Sequence, residues 1–483
     1  MCCKFGVRDL ASLVLGYDGV TWRFTAEETL NLKPFIGSSS QIIPLSHSDI
    51  HLPEHITIKP SGPVQGSVRP PGSKSITNRA FVCAALASGT SHLRGALDSE
   101  DTRVMADSLG QLGFRITTDH SSDRFEVVGC AGRLPSSSSD LFVANSGTTV
   151  RFLTALVTLG HGDYHLDGVP RMRERPIGDL LHALNQLGTS TSSEQETGCP
   201  PVFVRANGLT GGTATVRGDI SSQFLSALLM VGPCAQSDVV IRVEGPLVSK
   251  PYVEMTLAVM QRFGVEVIHD DLLEFRFGEG LRYQACSYDI EPDASAASYF
   301  WAAAAITQGS VLVKGLSFKA IQGDVQFCEC LAQMGCHVEQ RPDGIQVTGC
   351  PLRGVDVDLN EISDTVLTLA AVALFASSPT TIRGVGHIRH KETDRISDLA
   401  RELRKLGAGV DEFPDGLRIT PGPLQVATVE TYDDHRMAMS LALVGLGRPG
   451  VTIANPGCTA KTYPRFFEDL DRLTHSRSVT SDQ

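Results

Sequence analysis

The strongest constraint on the fold of this 483-residue chain is a short pattern that occurs five times. Each copy has an apolar residue, two mostly polar residues, an apolar residue and a glycine, then a strand-like stretch, as in LGQLGFRI and MQRFGVEV. An amphipathic helix that ends at a glycine C-cap and leads into a strand produces such a pattern. The gaps between copies are 75, 76, 71 and 72 residues, measured between Gly113, Gly188, Gly264, Gly335 and Gly407.

This period is longer than that of solenoid repeats, so the pattern predicts small α/β subdomains rather than a linear array. A sixth helix-like segment, RFFEDLDRL, lies one further period along the chain. Six copies predict two α/β domains of three repeats each, with the alanine-rich runs SYFWAAAAI and TLAAVALFA as buried helices. Residues 1–55 lack the pattern and are predicted to form an N-terminal extension of unknown role.

The charge of the chain limits its partners. A formal net charge of −12 disfavours nucleic acid or an anionic membrane as the main partner, and no apolar run approaches the ~18 residues of a membrane span. The twelve cysteines are scattered, as is typical of free thiols in a reducing compartment rather than of disulfides or a metal site. Because the first residues also lack an apolar secretion signal, the sequence predicts a cytoplasmic protein.

Several common catalytic motifs are missing from the sequence. It contains no GxxxxGK[ST] loop, no GxGxxG after a strand and no GxSxG elbow, so the usual signatures of P-loop, dinucleotide and α/β-hydrolase enzymes are excluded. We interpret His435, in YDDHRMAM, as part of a capping and hydrogen-bonding cluster at a helix start. A lone Asp-Asp-His seldom forms a metal site, and none is predicted.

Eight short segments carry glycine, hydroxyl or cationic residues, most of them at predicted helix starts. The free N–H groups and the dipole of a helix N-terminus favour anions. Convergence of these segments would therefore build a positive cleft for more than one anionic group. The residues concerned are Gly72, Lys74, Ser75, Arg79, Asn145, Gly147, Thr148, Arg151, Arg171, Arg173, Arg175, Ser221, Ser222, Gln223, Ser249, Lys250, Tyr252, Lys391, Glu392, Arg395, Arg436 and Lys461.

At these residues the sequence strongly resembles the 5-enolpyruvylshikimate-3-phosphate (EPSP) synthase family, over residues 57–474. The resemblance rests on motifs in family order: PGSKSITNRA, SGTTVR, PRMRERPIGDL, SSQFLSALLM, SKPY, KETDRI, DDHRMAM and CTAKTYP. It implies an inverse α/β barrel of two domains, each with three βαβαββ repeats, and a substrate cleft between the domains. The implied domains are residues 57–72 with 292–474, and an inserted 73–291, followed by a tail of residues 475–483.

The resemblance also implies the reaction. The enolpyruvyl group of phosphoenolpyruvate (PEP) moves to the 5-hydroxyl of shikimate 3-phosphate and phosphate leaves, in the shikimate pathway to chorismate and the aromatic amino acids. No cofactor and no metal is expected. The expected partners are these two small molecules, with the protein a monomer or one piece of a multifunctional polypeptide.

Matching the motifs residue by residue assigns roles by resemblance. Asp364 matches the general base, Glu392 the proton donor to PEP, and Lys74 a catalytic residue shared by both substrates. The expected contacts of shikimate 3-phosphate are Lys74, Ser75, Arg79, Ser221, Ser222, Gln223, Ser249, Tyr252, Asp364, His387 and Lys391. The expected contacts of PEP are Lys74, Asn145, Gly147, Thr148, Arg171, Gln223, Glu392, Arg395, Arg436 and Lys461.

Two positions depart from the family pattern. His387 stands where many members have an asparagine that contacts shikimate 3-phosphate. Phe152 follows Arg151 where some members have a proline, a change that could alter the helix behind Gly147.

Two alternative functions stay open. One is UDP-N-acetylglucosamine enolpyruvyl transferase, which shares the implied fold; Ser75 and Arg79 favour a small phosphorylated ring over this substrate. The other is a non-catalytic relative that binds an anion. The carboxylates Asp364 and Glu392 would weaken an anion site unless they move protons, so they favour an enzyme.

Overall fold

The computed structural model describes residues 52–119, 124–278 and 280–475, together with one short hairpin near the N-terminus. The chain divides into two compact units, and the boundary in the sequence falls between Ile50 and His51. In the first unit, the described part is the backbone of strands β1 (Leu13–Tyr17) and β2 (Val20–Phe24), which pair antiparallel. The rest of the predicted N-terminal extension, up to residue 51, lies outside the described residues.

Each of the five repeated glycines follows a helix in left-handed backbone geometry, which confirms the C-cap prediction. Their φ angles lie between +84° and +115°, a region that residues with a Cβ rarely adopt. A strand begins within four residues of each glycine. The repeat in the sequence is therefore a repeat of helix, left-handed turn and strand.

The segment from residue 74 to residue 289 contains three α/β units. Its helices are α1 (Lys74–Leu86), α2 (Glu100–Gln111), α3 (Gly147–Val157), α4 (Gly178–Gln186), α5 (Ser222–Val231) and α6 (Lys250–Arg262). Its strands are β5 (Thr90–Arg94), β6 (Arg115–Asp119), β7 (Arg124–Val128), β8 (Ser138–Phe142), β9 (His161–Asp167), β10 (Ser190–Ser193), β11 (Val202–Asn207), β12 (Gly212–Arg217), β13 (Val239–Glu244), β14 (Ile268–Asp270), β15 (Glu274–Phe277) and β16 (Ser287–Asp289). The sheets have the orders β16-β5-β7-β6, β10-β11-β9-β8 and β12-β13-β15-β14.

The remaining described residues, 55–68 and 294–475, contain three more units. Their helices are α7 (Ala294–Thr307), α8 (Phe327–Met334), α9 (Val366–Ala373), α10 (Arg395–Lys405), α11 (His435–Ala442), α12 (Val444–Gly447) and α13 (Phe466–His475). Their strands are β3 (His55–Ile58), β4 (Gln65–Val68), β17 (Ser310–Lys314), β18 (His337–Arg341), β19 (Gly344–Thr348), β20 (Asp356–Asp358), β21 (Thr380–Arg383), β22 (Gly409–Phe413), β23 (Gly416–Thr420), β24 (Ala427–Val429) and β25 (Val451–Ala454). The sheets have the orders β18-β19-β17-β4, β20-β21-β23-β22 and β24-β25-β3.

The same strand pairing recurs from unit to unit, which confirms a mixed α/β fold of repeated units. In the second sheet, β8 is parallel to β9, and β9 is antiparallel to β11, which is antiparallel to β10. Three sheets include a strand from a distant part of the chain: β16 pairs parallel with β5, β4 pairs parallel with β17, and β3 pairs antiparallel with β25. Because β3 and β4 precede residue 74 and pair with strands that follow residue 294, the group of units at 74–289 is inserted into the other group.

The two connections between these groups lie side by side. Gly72 and Pro292 form a backbone bridge at the point where the chain passes from one group to the other. Any side chain at residue 72 would collide with the main chain, because an added Cβ would lie 1.9 Å from the Gly95 carbonyl oxygen. Glycine is required here for close approach rather than for its φ angle.

Buried apolar side chains form two separate hydrophobic clusters. One contains residues between 76 and 290, and the other contains residues between 58 and 68 and between 294 and 473. The predicted buried helices α7 and α9 lie in the second cluster, and every residue of α9 is buried. In α7, Trp301 is fully buried and its Nε1 donates to the Ile345 carbonyl at 3.1 Å.

Within the described residues, no helix is both long and apolar enough to cross a membrane. The same residues include no group of three or more His, Cys, Asp and Glu side chains arranged to hold a metal ion. The ten described cysteines are free thiols.

The C-cap role of the repeated glycines can be tested at the end of α2. Gly113→Ala should lower the free energy of unfolding by about 1–2 kcal/mol, because alanine is strained in left-handed geometry, here at a φ of +90°. Gly110→Ala, inside the same helix with open space around the added Cβ, should instead raise it by about 0.5–1 kcal/mol. Urea unfolding of both variants measures this; equal effects would contradict the C-cap role.

Candidate active site

A polar cavity lies where several helix starts converge. Its lining comes from both groups of units and is dominated by charged and hydroxyl side chains. The lining residues are Lys74, Ser75, Asp101, Gly147, Thr148, Arg175, Ser222, Gln223, Ser249, Tyr252, Asp364, Lys391, Glu392, Arg395 and Arg436. Most of these were predicted from the sequence as anion-binding or proton-transferring residues, and the structure brings them together.

Side-chain caps fix the helix starts that face the cavity. The Ser73 hydroxyl accepts the Ile76 N–H at α1, and the Ser146 hydroxyl accepts the Thr149 N–H at α3. The carboxylate of Asp434 accepts the Arg436 N–H at 2.8 Å and caps α11, as predicted for the Asp-Asp-His cluster. Each capped start leaves further N–H groups and the positive end of the helix dipole available to an anion.

Arg395, the first residue of α10, is the centre of the electrostatic network. Its side chain is 1% exposed and contacts three carboxylates. Nε lies 2.7 Å from Asp434 Oδ2, Nη2 lies 2.8 Å from Glu392 Oε2, and Nη1 lies 3.3 Å from Asp364 Oδ1. Burial would lower the pKa of this guanidinium, but Asp434 and Glu392 outweigh burial and raise its pKa.

Asp364 is held as an ionised carboxylate. Arg436 Nη2 donates to its Oδ2 at 2.7 Å, on the opposite side from Arg395. Burial alone would raise the pKa of Asp364, but Arg436, Lys391 and Arg395 lower it well below its usual range. An anionic substrate that neutralises these cations would make the carboxylate more basic, as a proton acceptor requires.

Glu392 is ionised for a similar reason. Its Oε1 lies 3.1 Å from Lys461 Nζ, and its Oε2 accepts from Arg395. Burial would raise the pKa of Glu392, but Lys461, Arg395 and Arg175 bring it well below its usual range. The sequence placed Lys391 beside Glu392, whereas the structure shows Lys461 and Arg395 as its ion-pair partners.

Polar side chains order the wall between α3 and α5. The Gln223 side-chain oxygen accepts from Arg151 Nη1 at 2.9 Å, and its amide nitrogen donates to Thr148 Oγ1 at 3.3 Å. On the far side, Ser249 Oγ lies 3.3 Å from His387 Nε2. Burial and the charge of Lys391 lower the pKa of His387 to about 3, so this imidazole is neutral.

Some predicted site residues are not among those that line the cavity. They are Arg79, Asn145, Arg171, Ser221, His387 and Lys461. Lys461 Nζ and Arg175 Nη1 both donate to the Asn145 carbonyl, at 2.9 Å and 3.1 Å. Arg171 donates to the backbone carbonyls of Lys391 and Glu392, both at 3.1 Å, and so braces the segment that carries Glu392.

The buried guanidinium of Arg79 donates hydrogen bonds to several groups of the protein itself. Its guanidinium is 2% exposed and donates to Thr256 Oγ1 at 2.7 Å, to the Ser75 carbonyl at 2.9 Å and to the Tyr252 carbonyl at 3.1 Å. It also lies over the ring of Phe152, the residue that departs from the family pattern, 5.3 Å from the ring centre. Its contact with shikimate 3-phosphate stays a prediction.

Sequence reasoning did not single out Asp101, and it listed Arg175 among the cleft residues without assigning it to either substrate. Arg175 was one of three arginines within five residues, and only its fold position shows that it reaches the cavity beside Gly147. Asp101 accepts from Asn78 Nδ2 at 3.2 Å. In the sequence it reads as an ordinary acidic residue in the first turn of α2, so no signal singled it out.

His435 does not take part in the hydrogen-bonding cluster predicted for it. Within the described residues neither of its ring nitrogens has a hydrogen-bond partner, and the side chain is 1% exposed. Burial lowers its pKa well below the usual range, so the imidazole is neutral.

Comparison with known proteins gives matches over most of the chain. The sequence profile of EPSP synthase (3-phosphoshikimate 1-carboxyvinyltransferase) matches residues 58–470. Proteins named 3-phosphoshikimate 1-carboxyvinyltransferase from Nostoc punctiforme and Shewanella pealeana are 52% and 47% identical to the chain. The alignments cover 85% and 87% of this chain and 97% and 99% of those proteins.

Solved structures agree as well. An EPSP synthase structure from Acinetobacter baumannii matches with a TM-score of 0.73 at 25% identity, over 87% of this chain and 98% of that one. The enolpyruvyl transferase NikO from Streptomyces tendae matches with a TM-score of 0.66 at 21% identity, over 86% and 96%, and supports the fold alone. The sequence profile matches most of the chain, and the alignments cover the two relatives almost end to end. The chain therefore belongs to the EPSP synthase family.

Proposed function

We propose that the cavity performs the reaction of its family. The chain is a 3-phosphoshikimate 1-carboxyvinyltransferase of the shikimate pathway, which moves the enolpyruvyl group of PEP to the 5-hydroxyl of shikimate 3-phosphate and releases phosphate. The observation that carries the assignment to this cavity is the pair of ionised carboxylates, Asp364 and Glu392, both held by Arg395. Two carboxylates suit two proton transfers, and the surrounding cations suit two phosphates and a carboxylate.

We assign shikimate 3-phosphate to the side of the cavity near α5 and α6. Ser222 and Ser249 present hydroxyls there for the 3-phosphate, and Tyr252 borders the ring. Arg79 and His387 support this side from behind, since Arg79 donates to the Ser75 carbonyl and His387 contacts the Ser249 hydroxyl. Burial lowers the pKa of Lys391 to about 8, so it is mostly cationic at neutral pH and can pair with the substrate.

We assign PEP to the side of the cavity near α3, α10 and α11. The start of α3 at Gly147 and Thr148 offers backbone N–H groups, and Arg395 and Arg436 offer guanidinium forks to phosphate and carboxylate. Arg175 joins this set. An added Cβ at residue 147 would lie 2.2 Å from Arg175 Nη2, so glycine gives the arginine room beside the helix start.

The proton transfers balance as follows. Asp364 takes the proton of the 5-hydroxyl of shikimate 3-phosphate as that hydroxyl oxygen attacks C2 of PEP. Protonated Glu392 delivers a proton to the methylene carbon C3. In the resulting tetrahedral intermediate, Glu392 takes one proton back from C3 as the C2–O bond to phosphate breaks, which restores the double bond. Because Glu392 is ionised in the resting site, it must acquire its first proton from substrate or solvent.

A phosphate-release assay tests this function. The purified protein should release phosphate from PEP when shikimate 3-phosphate is present and should not do so with PEP alone. UDP-N-acetylglucosamine in place of shikimate 3-phosphate should give no release. Phosphate release from PEP with UDP-N-acetylglucosamine but not with shikimate 3-phosphate would favour a UDP-N-acetylglucosamine enolpyruvyl transferase. Binding of PEP and shikimate 3-phosphate without any phosphate release would favour a non-catalytic relative.

We further propose the two-domain inverse α/β barrel and domain boundaries implied by the resemblance. The two hydrophobic clusters and the paired connections at Gly72 and Pro292 support this division.

Cations from both groups of units face the cavity, so their repulsion should favour an open form that shikimate 3-phosphate closes. A radius of gyration in solution scattering that shikimate 3-phosphate leaves unchanged would contradict closure.

A cytoplasmic monomer remains our proposal for location and oligomeric state. The free thiols of the described cysteines support a reducing compartment. Sedimentation and cell fractionation would test both points.

Glu392→Gln tests the role of the proton donor. The variant should still bind both substrates, because the loss of a negative charge favours anionic PEP, and turnover should fall by about 10²–10⁴. PEP recovered from deuterated water should show little exchange at its methylene group. Steady-state kinetics and mass spectrometry measure both effects.

Glu402→Gln is a matched control, because Glu402 is also buried and pairs with a cation three residues later, Lys405, away from the cavity. Its turnover should stay close to that of the wild-type protein. Near-normal turnover of Glu392→Gln would place the acid elsewhere, with Lys74 the next candidate.

A further inference from the structure

One hydroxyl group lies between two buried carboxyl groups in the cavity wall. Tyr252 Oη is 3.0 Å from Asp324 Oδ2 and 3.0 Å from Asp364 Oδ2. A phenol has a single proton and can donate it to only one of the two oxygens. The second short contact is a hydrogen bond only if one of the carboxyl groups is itself protonated.

The surroundings decide which carboxyl group holds that proton. Asp364 accepts from Arg436 and Arg395 and is stabilised as an anion. Asp324 is 2% exposed, and within the described residues its Oδ1 has no hydrogen-bond partner. An ionised carboxylate is costly to bury with a single neutral donor, whereas a neutral carboxylic acid is not.

We propose that Asp324, rather than Asp364, is the carboxyl group that holds the shared proton, and that it is a positioning residue for Asp364. Its carboxyl O–H donates to Tyr252 Oη, and the Tyr252 O–H then donates to Asp364 Oδ2. The role in turnover rests on the proposed function, since it takes Asp364 to be the base. The protonation itself does not depend on that function.

The charged groups around Asp324 agree with this assignment. Asp324 lies in the short turn Gly323–Gln326, which packs against α7. Burial is the largest cause that raises the pKa of Asp324, and the negative charge of Asp364 raises it further. Asp293, at the start of α7, makes a smaller contribution in the same direction. Arg436 and the Tyr252 hydrogen bond act in the opposite direction, and the resulting pKa is about 7.

The proton on Asp324 has two consequences for the site. It fixes the direction of the Tyr252 hydroxyl, so that Asp364 always receives a donor and keeps its orientation towards the substrate. It also keeps an additional negative charge away from the side assigned to shikimate 3-phosphate. As the pH rises through the pKa, Asp324 ionises and competes with Asp364 for the one phenol proton, and both benefits are lost.

The pH dependence of kcat/KM for shikimate 3-phosphate tests the proposal. The wild-type protein should lose activity on the alkaline side from about pH 7, by about tenfold per pH unit for a single ionisation. Asp324→Asn keeps an N–H donor to Tyr252 that cannot ionise. Its alkaline loss should begin instead near pH 8, where Lys391 loses its charge.

Asp293→Asn is the matched control. Asp293 lies near Asp324 but does not contact Tyr252, and asparagine still caps α7. Because the charge of Asp293 contributes less than burial and Asp364 to the raised pKa of Asp324, this variant should retain the alkaline loss and shift it slightly towards lower pH. An alkaline loss that is the same in Asp324→Asn as in the wild-type protein would overturn the proposal.

A direct titration separates this proposal from the proposed function, because it needs no catalytic activity. In wild-type protein with ¹³C-labelled aspartate carboxyl groups, one resonance should titrate near pH 7, well above the usual value of about 4. Its disappearance in Asp324→Asn would assign it. The proposal is wrong if no aspartate titrates near neutral pH, whether or not the protein releases phosphate from PEP.

Discussion

A single buried guanidinium, that of Arg395, makes the rest of the site possible. Three carboxylates would repel one another in a space so little exposed to water, and each would take up a proton if it stood alone. Arg395 contacts all three, with distances of 2.7 Å to Asp434, 2.8 Å to Glu392 and 3.3 Å to Asp364. Together with Arg436 beside Asp364 and Lys461 beside Glu392, it keeps the two candidate catalytic groups ionised side by side.

The fold supplies this arrangement through helix starts. Arg395 and Arg436 are among the first residues of α10 and α11, and the caps Asp394 and Asp434 fix the backbone that carries them. Lys74 and Gly147 occupy the equivalent places in α1 and α3. Repetition of an α/β unit thus gives an acidic protein several positive helix ends around one cavity.

The resting network also explains how binding could start the chemistry. The cations that hold Asp364 and Glu392 as anions are the same groups that we propose bind the substrates. When a phosphate or carboxylate takes a share of Arg436 or Lys461, the carboxylate beside it loses part of its stabilisation, and its pKa rises. Substrate binding and readiness for proton transfer are therefore coupled.

Much of this could be predicted from the sequence, because the signals are local. The left-handed glycines were readable from the helix ends, and Lys74, Gly147 and Arg395 from motifs at helix starts. Arg175 could not be separated from its neighbours, because a short 3-10 turn at Met172–Glu174 decides which arginine reaches the cavity. Asp324 had no signal at all, since its partner Tyr252 is 72 residues away in the chain.

The most direct test of the account is the ionisation state of Glu392 in the resting protein. In wild-type protein with ¹³C-labelled glutamate carboxyl groups, the Glu392 resonance can be assigned by its loss in Glu392→Gln. Held by Lys461 and Arg395, this carboxylate should stay ionised below the usual pKa of about 4.3. A Glu392 resonance that titrates above about pH 5 would contradict the account.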